Sequence, residues 1–466
     1  MSVLTVGFAL AMPLLLGAAP ATVLLRRPAA DWQWPEWCGV AWLLGAPILG
    51  LSLALFARVP PAAVFTAAVP WLVPIGLVAW AVAWRFTPAA TAPARAQVRP
   101  WQRTVWWGMA LLLAAHWLLA AWQAWALPTL PWDAWTTWIG KARLWYGAPE
   151  FAAWLAPDAW LAGEGGRATL APHYPDTLPR LAVWVASANG RWDAAVVHLW
   201  WPTLWLALAA LCHGGLRRLT DVPWIAMAGT WALLSLPLVD AHLALAGYAD
   251  LWVAALATLA ALALMRWRRE SDWRMAALAG LAAAALPAIK LEGAVWMLCI
   301  FAAAGWALLP PRGRLWVPVA VAVAFGVVLA LGGLSIPAPG LGMVRVRWGE
   351  IELPGILTLA LHWRPVVAEV AVAMLVLPTW HLLWWAVPVV ALLRWRTFAN
   401  DPALHVAAAL LVLGCGFVFV LFFLTDAAAW AENFTSINRI LLHVAGPAVA
   451  AITVALAAPA HARTPG

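Results

Sequence analysis

Charge is scarce in this chain: Asp, Glu, Lys and Arg make up 10% of 466 residues, and hydrophobic residues make up 65%. An ordinary soluble domain carries about 25% charged residues. Mean hydropathy is +0.84, and apolar stretches of roughly 17–25 residues, long enough to cross a bilayer, recur from end to end. Cysteine is scarce too. Cys38, Cys212, Cys299 and Cys415 each fall inside an apolar run without CxxC spacing, which argues against a disulfide framework or a zinc site and leaves them as small core residues. Lysine is rarer still: Lys141 and Lys290 accompany 26 arginines, the 28 basic residues less these two. Phosphate-cradling loops are missing as well. "GEGG" at 163–166 has neither the Lys-Ser/Thr of a P-loop nor the strand–helix setting of a dinucleotide turn, so a nucleotide-linked donor is disfavoured.

What is present is arginine in short clusters. Arg26 and Arg27, then Arg85, Arg95, Arg99 and Arg103, Arg217 and Arg218, "RWRRESDWR" at 266–274, Arg312 and Arg314, and Arg394 and Arg396 fall at every second gap between apolar runs. That alternation is the positive-inside pattern. It predicts an all-α polytopic membrane protein of about thirteen transmembrane helices, with the N-terminus outside and the C-terminus inside. The spans fall at roughly 2–25, 37–57, 62–84, 105–126, 193–212, 223–241, 248–265, 275–289, 292–309, 315–335, 366–393, 402–424 and 438–458. The first run lacks a basic leader and is too long for a typical signal peptide, so it is expected to remain as a span. Because the net charge of +8 is dispersed between spans, nucleic acid is not an expected partner; membrane lipids are. Most of the 39 tryptophans, such as Trp80, Trp84, Trp200 and Trp201, lie near span ends, where an interfacial belt accounts for them.

Acidic residues gather on the external side, and the longest external segment is 127–192, between spans four and five. It opens with "LPWDAWTTWIGKARLWYG" at 130–147: one aspartate among tryptophans, followed by a basic, amphipathic helical pattern. A loop this long in a compact protein carries function or is disordered, and its aromatic, helically spaced residues predict order. Lys141 lies eight residues after Asp133, and Lys290 lies two before Glu292 in "PAIKLEG". The stretch between Arg274 and Arg312 must cross and return with arms of about 25 Å, shorter than a hydrocarbon core of about 30 Å. Lys290 and Glu292 are therefore expected within the outer leaflet, where ionisable residues are functional candidates; the alternative is a self-satisfied or snorkelling pair. Trp132, Trp135 and Trp138 flank Asp133 and are the tryptophans best placed for something other than belt or core. Asp133 itself has a structural alternative, as a helix N-cap.

"WDAWTTWIGKARLWY", "HYPDTLPRL" (173–181), "GYADLWVA" (247–254), "IKLEG" (289–293) and "INRILLHVAGP" (437–447), in that order, resemble the GT-C superfamily of integral-membrane glycosyltransferases. They are similar to bacterial members related to protein mannosyltransferases and to the lipid A aminoarabinose transferase. The resemblance covers about residues 105–458, preceded by three additional helices within 1–104 and followed by a short cytoplasmic tail at 459–466. It implies a polyprenyl-phosphate-linked sugar donor, an envelope glycolipid, polysaccharide or protein as acceptor, and a site on the outer face of a bacterial cytoplasmic (inner) membrane. Asp133 matches the loop aspartate that acts as base or orients the acceptor. Inverting transfer needs a carboxylate to take the acceptor's proton and cations to stabilise the departing phosphate; Lys141, Arg143, Lys290 and Arg439 form that expected cation set, with arginine suited to bidentate phosphate contact. Asp176 is a candidate second carboxylate, with a loop-capping role as its alternative, and His173 and Tyr174 are its hydrogen-bonding neighbours. Trp132, Trp135, Asp250 and Glu292 complete the acceptor- and sugar-positioning set, Asp250 equally as a structural ion-pair partner. Asp133 is followed by Ala134, without a DxD pair, so no metal or other cofactor is expected.

Two other classes compete. A transporter or lipid flippase calls for charges lining a path to the cytoplasmic side and for an internal repeat, and neither is evident. A non-catalytic scaffold would tolerate loss of Asp133.

Overall fold

Proline opens helix after helix. Pro100, Pro223, Pro237, Pro311 and Pro402 each occupy a first helical position, where the missing N–H costs nothing and the fixed φ suits the first turn. The computed structural model describes residues 3–91, 98–338, 342–354 and 357–458; Arg95 and the tail 459–466 lie outside them. It is 75% helical with almost no sheet. In chain order the principal helices are α1 (Val3–Leu25), α2 (Trp34–Ser52), α3 (Val64–Phe86), α4 (Pro100–Ala126), α5 (Ile139–Tyr146), α6 (Thr177–Asn189), α7 (Trp200–Thr220), α8 (Pro223–Leu234) and α9 (Pro237–Ala244). They continue with α10 (Asp250–Glu270), α11 (Trp273–Ala285), α12 (Gly293–Leu308), α13 (Pro311–Ala330), α14 (Leu383–Leu393), α15 (Pro402–Phe423) and α16 (Ile437–Ala457).

Among the described residues nine helices are long and apolar enough to cross a membrane, and ten if α8 and α9, bent by 62° at their junction, count as one span. The other three expected spans, at 275–289, 292–309 and 366–393, fall on shorter apolar helices. The run at 275–289 and the run at 292–309 form two short apolar helices, as their length dictates. The expected span at 366–393 is broken into Val367–Val376 and α14, because Pro378 interrupts the backbone ladder and His381 takes a non-helical conformation with φ of +49° between them. The chain also departs from all-α at 334–360, where β3 (Leu334–Ala338), β4 (Gly342–Arg347), β5 (Glu350–Leu353) and β6 (Leu357–Ala360) form an antiparallel meander. The alternation of Val344, Val346 and Ile351 with Arg345, Arg347, Glu350 and Glu352 is a strand pattern. Arg345 pairs with the facing Glu352 at 3.0 Å. A further two-residue parallel bridge joins β1 (Trp154–Leu155) to β2 (Arg167–Ala168).

The centre of the bundle is α10, buried along nearly its whole length, whereas no residue of α13 is buried. Small residues allow close crossings. A Cβ at Gly446 of α16 would lie 1.8 Å from Thr258 Oγ1 of α10, and Cβ atoms at Gly17 and Gly45 would meet the facing backbones of α2 and α1. Helices α1–α3 enclose α6: Trp184 Nε1 donates to Ala9 O, and Ser187 Oγ donates to Ala62 O and accepts from Phe65 N.

The polar groups collect at two opposite ends of α10. Asp250 begins it, and sixteen residues later, a rise of about 24 Å, Arg266 pairs with Glu36 and Glu270, while Arg218 also holds Glu36 at 2.6 Å and Arg269 pairs with Asp401. These last residues all come from segments that the arginine alternation places on one face. Asp133, Asp176, Lys290 and Arg439 meet at the other.

Candidate active site

Asp133 is positioned by an irregular turn. The amides of Ala134 and Trp135 donate back to Pro131 O, after which 134–138 adopt a wide π-type turn leading into α5. Gly140 is required by that turn, since a Cβ there would lie 2.0 Å from Trp135 O. The Asp133 carboxylate does not cap the turn. It accepts from Arg439 Nη2 at 2.6 Å instead, so the structural alternative of a helix cap is not what the chain adopts.

Arg439 is the first link of a continuous network. Its Nε donates to Asp250 Oδ2 at 2.8 Å, and its guanidinium lies 4.6 Å from the centre of the Tyr248 ring. Asp250 Oδ1 accepts from Lys290 Nζ at 2.9 Å and stands 3.3 Å from His443 Nε2. Lys290 also reaches Glu292 at 3.2 Å, and Tyr174 OH donates to the same carboxylate at 3.5 Å. Tyr174 O in turn accepts from Lys141 Nζ at 3.0 Å, and Lys141 pairs with Asp176 at 3.4 Å, which faces Arg180 at 3.7 Å. Asp176, like Asp133, makes no side-chain cap bond. Lys290 stands at the apex between α11 and α12 because Pro287 and the close approach of Gly293 to Leu286 O turn the chain there. Arg439 and His443 share one face of α16 through their i,i+4 spacing.

Burial grades the network. The Asp250 side chain is fully buried and Lys290 nearly so, while Asp133 is 35% exposed. Three carboxylates (Asp133, Asp250, Glu292) face two cations (Lys290, Arg439) at the inner part of the site. In the loop above, burial holds the Lys141 ammonium below its ordinary pKa and Asp176 offsets part of that. Burial, followed by the Lys141 charge, lowers His173. Burial and then Glu292 raise Tyr174 above the ordinary tyrosine range.

The sequence-predicted residues divide as follows. Asp133, Asp176, Lys141, Lys290, Arg439, Asp250, Glu292 and Tyr174 are joined through side chains and the Tyr174 carbonyl, and His173 packs on Tyr174. Trp132 and Trp135 flank Asp133 as an exposed edge-to-face pair, 4.6 Å between centroids. Trp138 is core, buried against Tyr174. Arg143 is exposed and has no ion pair among the described residues; it lines a separate cleft with Lys141. Sequence reasoning missed Gly247, Tyr248, Arg180 and His443. Gly247 has φ of +126°, and a Cβ on it would lie 2.2 Å from Ala134 Cβ, so only glycine lets the "GYAD" loop reach the Asp133 turn.

Among the described residues no three or more His, Cys, Asp or Glu side chains are grouped so that they could share a metal ion. No protein-family model, curated protein or solved structure matches the chain.

Proposed function

We propose that the protein is a membrane glycosyltransferase that moves a sugar from a polyprenyl-phosphate carrier to an envelope acceptor on the outer face of a bacterial cytoplasmic membrane. The observation that carries this reading is a partly exposed loop carboxylate, Asp133, joined through Arg439 to a buried Asp250–Lys290 pair at the ends of three helices. In this reading the acceptor hydroxyl oxygen attacks the anomeric carbon, the bond from that carbon to the phosphate oxygen breaks, and the carrier phosphate leaves with the electron pair. Asp133 takes the hydroxyl proton.

Carboxylates outnumber cations in this cluster, so an incoming phosphate enters by exchange. It displaces a carboxylate from Arg439, and Asp133, the more exposed and singly bonded partner, is the one released. Donor binding would then produce the free base at the moment it is needed, while Asp250 keeps Arg439 and Lys290 aimed at the leaving phosphate. The test is reconstitution of the purified protein in liposomes with a radiolabelled polyprenyl-phosphate hexose and an envelope lipid extract. Transfer of label by wild type and not by Asp133→Asn supports the reading; consumption of a nucleotide sugar without lipid carrier overturns it.

A transporter or flippase draws on one observation. His116 of α4 and Asp240 of α9 pair at 2.8 Å within helices that belong to apolar spans, and such pairs mark transport paths in other membrane proteins. Movement of the labelled carrier across the liposome, without transfer and abolished by Asp240→Asn, would favour it.

A further inference from the structure

Beside the Asp133 network, the loop forms a groove that the chemistry above leaves unused. Its first part, about 490 Å³, is lined by Trp135, Thr136, Lys141, Arg143, Arg167 and Thr169, among others. It continues past Leu144, Arg167 and Ala168 into a second part of about 600 Å³ bordered by Glu150 and Trp160. The walls are well braced. Trp145 Nε1 donates to Ala152 O, Arg167 N to Ala153 O and Thr169 N to Leu155 O, and Gly166, with φ of +147°, presses on Leu155 where a Cβ would collide. Of the three cations on this groove, Lys141 is neutralised by Asp176. Arg143 on α5 and Arg167 on β2 have no carboxylate partner among the described residues. Trp135 and Trp160, each about half exposed, stand at opposite ends.

We infer that this groove binds an anionic saccharide of several residues, the acceptor's glycan. Two unpaired guanidiniums suit carboxylate or phosphate groups, exposed indoles suit the apolar faces of sugar rings, and the threonines offer hydroxyl contacts. The identity of this ligand as acceptor rests on the transferase reading, because Trp135 is two residues from Asp133; the binding itself does not.

The experiment uses the full chain in detergent and two probes, a uronic-acid tetrasaccharide and a phosphorylated disaccharide, with maltotetraose and inorganic pyrophosphate as controls. Tryptophan fluorescence or calorimetry reads binding with no donor present. At least one charged saccharide is expected to bind more tightly than both controls. The double variant Arg143→Ala/Arg167→Ala should weaken it by roughly tenfold or more, and Trp160→Ala by a smaller factor. A wild-type chain that binds through the arginines yet transfers no sugar in the liposome assay would sink the transferase reading and leave the groove standing. The inference is overturned if neither charged saccharide binds below roughly 1 mM, if the double variant binds unchanged, or if pyrophosphate binds as tightly as the saccharides and Trp160→Ala has no effect, which would make it a bare anion site.

Discussion

Asp250→Asn and Asp133→Asn remove the same charge from two carboxylates that share Arg439, and burial separates their consequences. Asp250 is fully buried and accepts from Arg439 at 2.8 Å and Lys290 at 2.9 Å. Asparagine turns part of that acceptor into a donor facing two cations. Breaking a buried ion pair by removing one partner costs about 3–5 kcal/mol. Lys290 retains Glu292 and Arg439 retains Asp133, which puts the expected cost near the lower end, about 3 kcal/mol. Asp133 is 35% exposed and has a single bonded partner, so its loss belongs with surface pairs worth at most about 1 kcal/mol. The difference of roughly 2 kcal/mol corresponds to about thirtyfold in the folding equilibrium. Denaturation of the detergent-solubilised variants, followed by tryptophan fluorescence, should therefore show a clearly lower midpoint for Asp250→Asn and a near-normal one for Asp133→Asn. Turnover of the Asp133 variant should not follow its stability. Asp133→Asn is expected to lose about 100-fold or more in a folded protein, the scale of general-base catalysis. Wild-type turnover in Asp133→Asn would refute its role as base, and equal destabilisation by the two variants would refute the burial argument.

Gly247→Ala combines a positive φ with a Cβ 2.2 Å from Ala134, and should destabilise by about 2 kcal/mol or more; adding Ala134→Gly should recover the clash but not the backbone strain, and a Gly247→Ala protein with wild-type stability would contradict this packing. Tyr174 is held neutral by burial and Glu292. Above pH about 10 the unfolded chain releases this proton while the folded chain keeps it, so stability falls as pH rises. Tyr174→Phe should flatten that part of the pH–stability curve relative to wild type, and an unchanged slope would count against it. Cysteines introduced at Gly165 and at Glu270, on a background without the four native cysteines, should react with an impermeant reagent in intact cells at 165 only; labelling at 270 would overturn the proposed sidedness.

The sequence by itself determined the membrane class, because 65% hydrophobic and 10% charged residues leave a chain no other solvent. It also determined which segments share an end: the arginine alternation groups Arg218, Arg266 and Arg269 with Glu36 and Asp401, and their ion pairs join those same segments. The length of the 275–309 stretch set the two short helices that lift Lys290 to their apex. Tertiary structure decided what periodicity and spacing do not encode. Whether Asp133 caps its own turn or crosses 306 residues of sequence to Arg439 depends on where α16 lies. The choice of Trp138 as core and Trp132 and Trp135 as exposed follows from a π-type turn that shifts the helical phase. The separation of Arg143 from Lys141, both cations in one expected set, follows from the side of α5 on which each falls, Lys141 buried toward Asp176 and Arg143 exposed. Contacts between distant segments carry no local signal, and the burial that makes Asp250 a hub and leaves Asp133 accessible exists only once α10, α12 and α16 pack together.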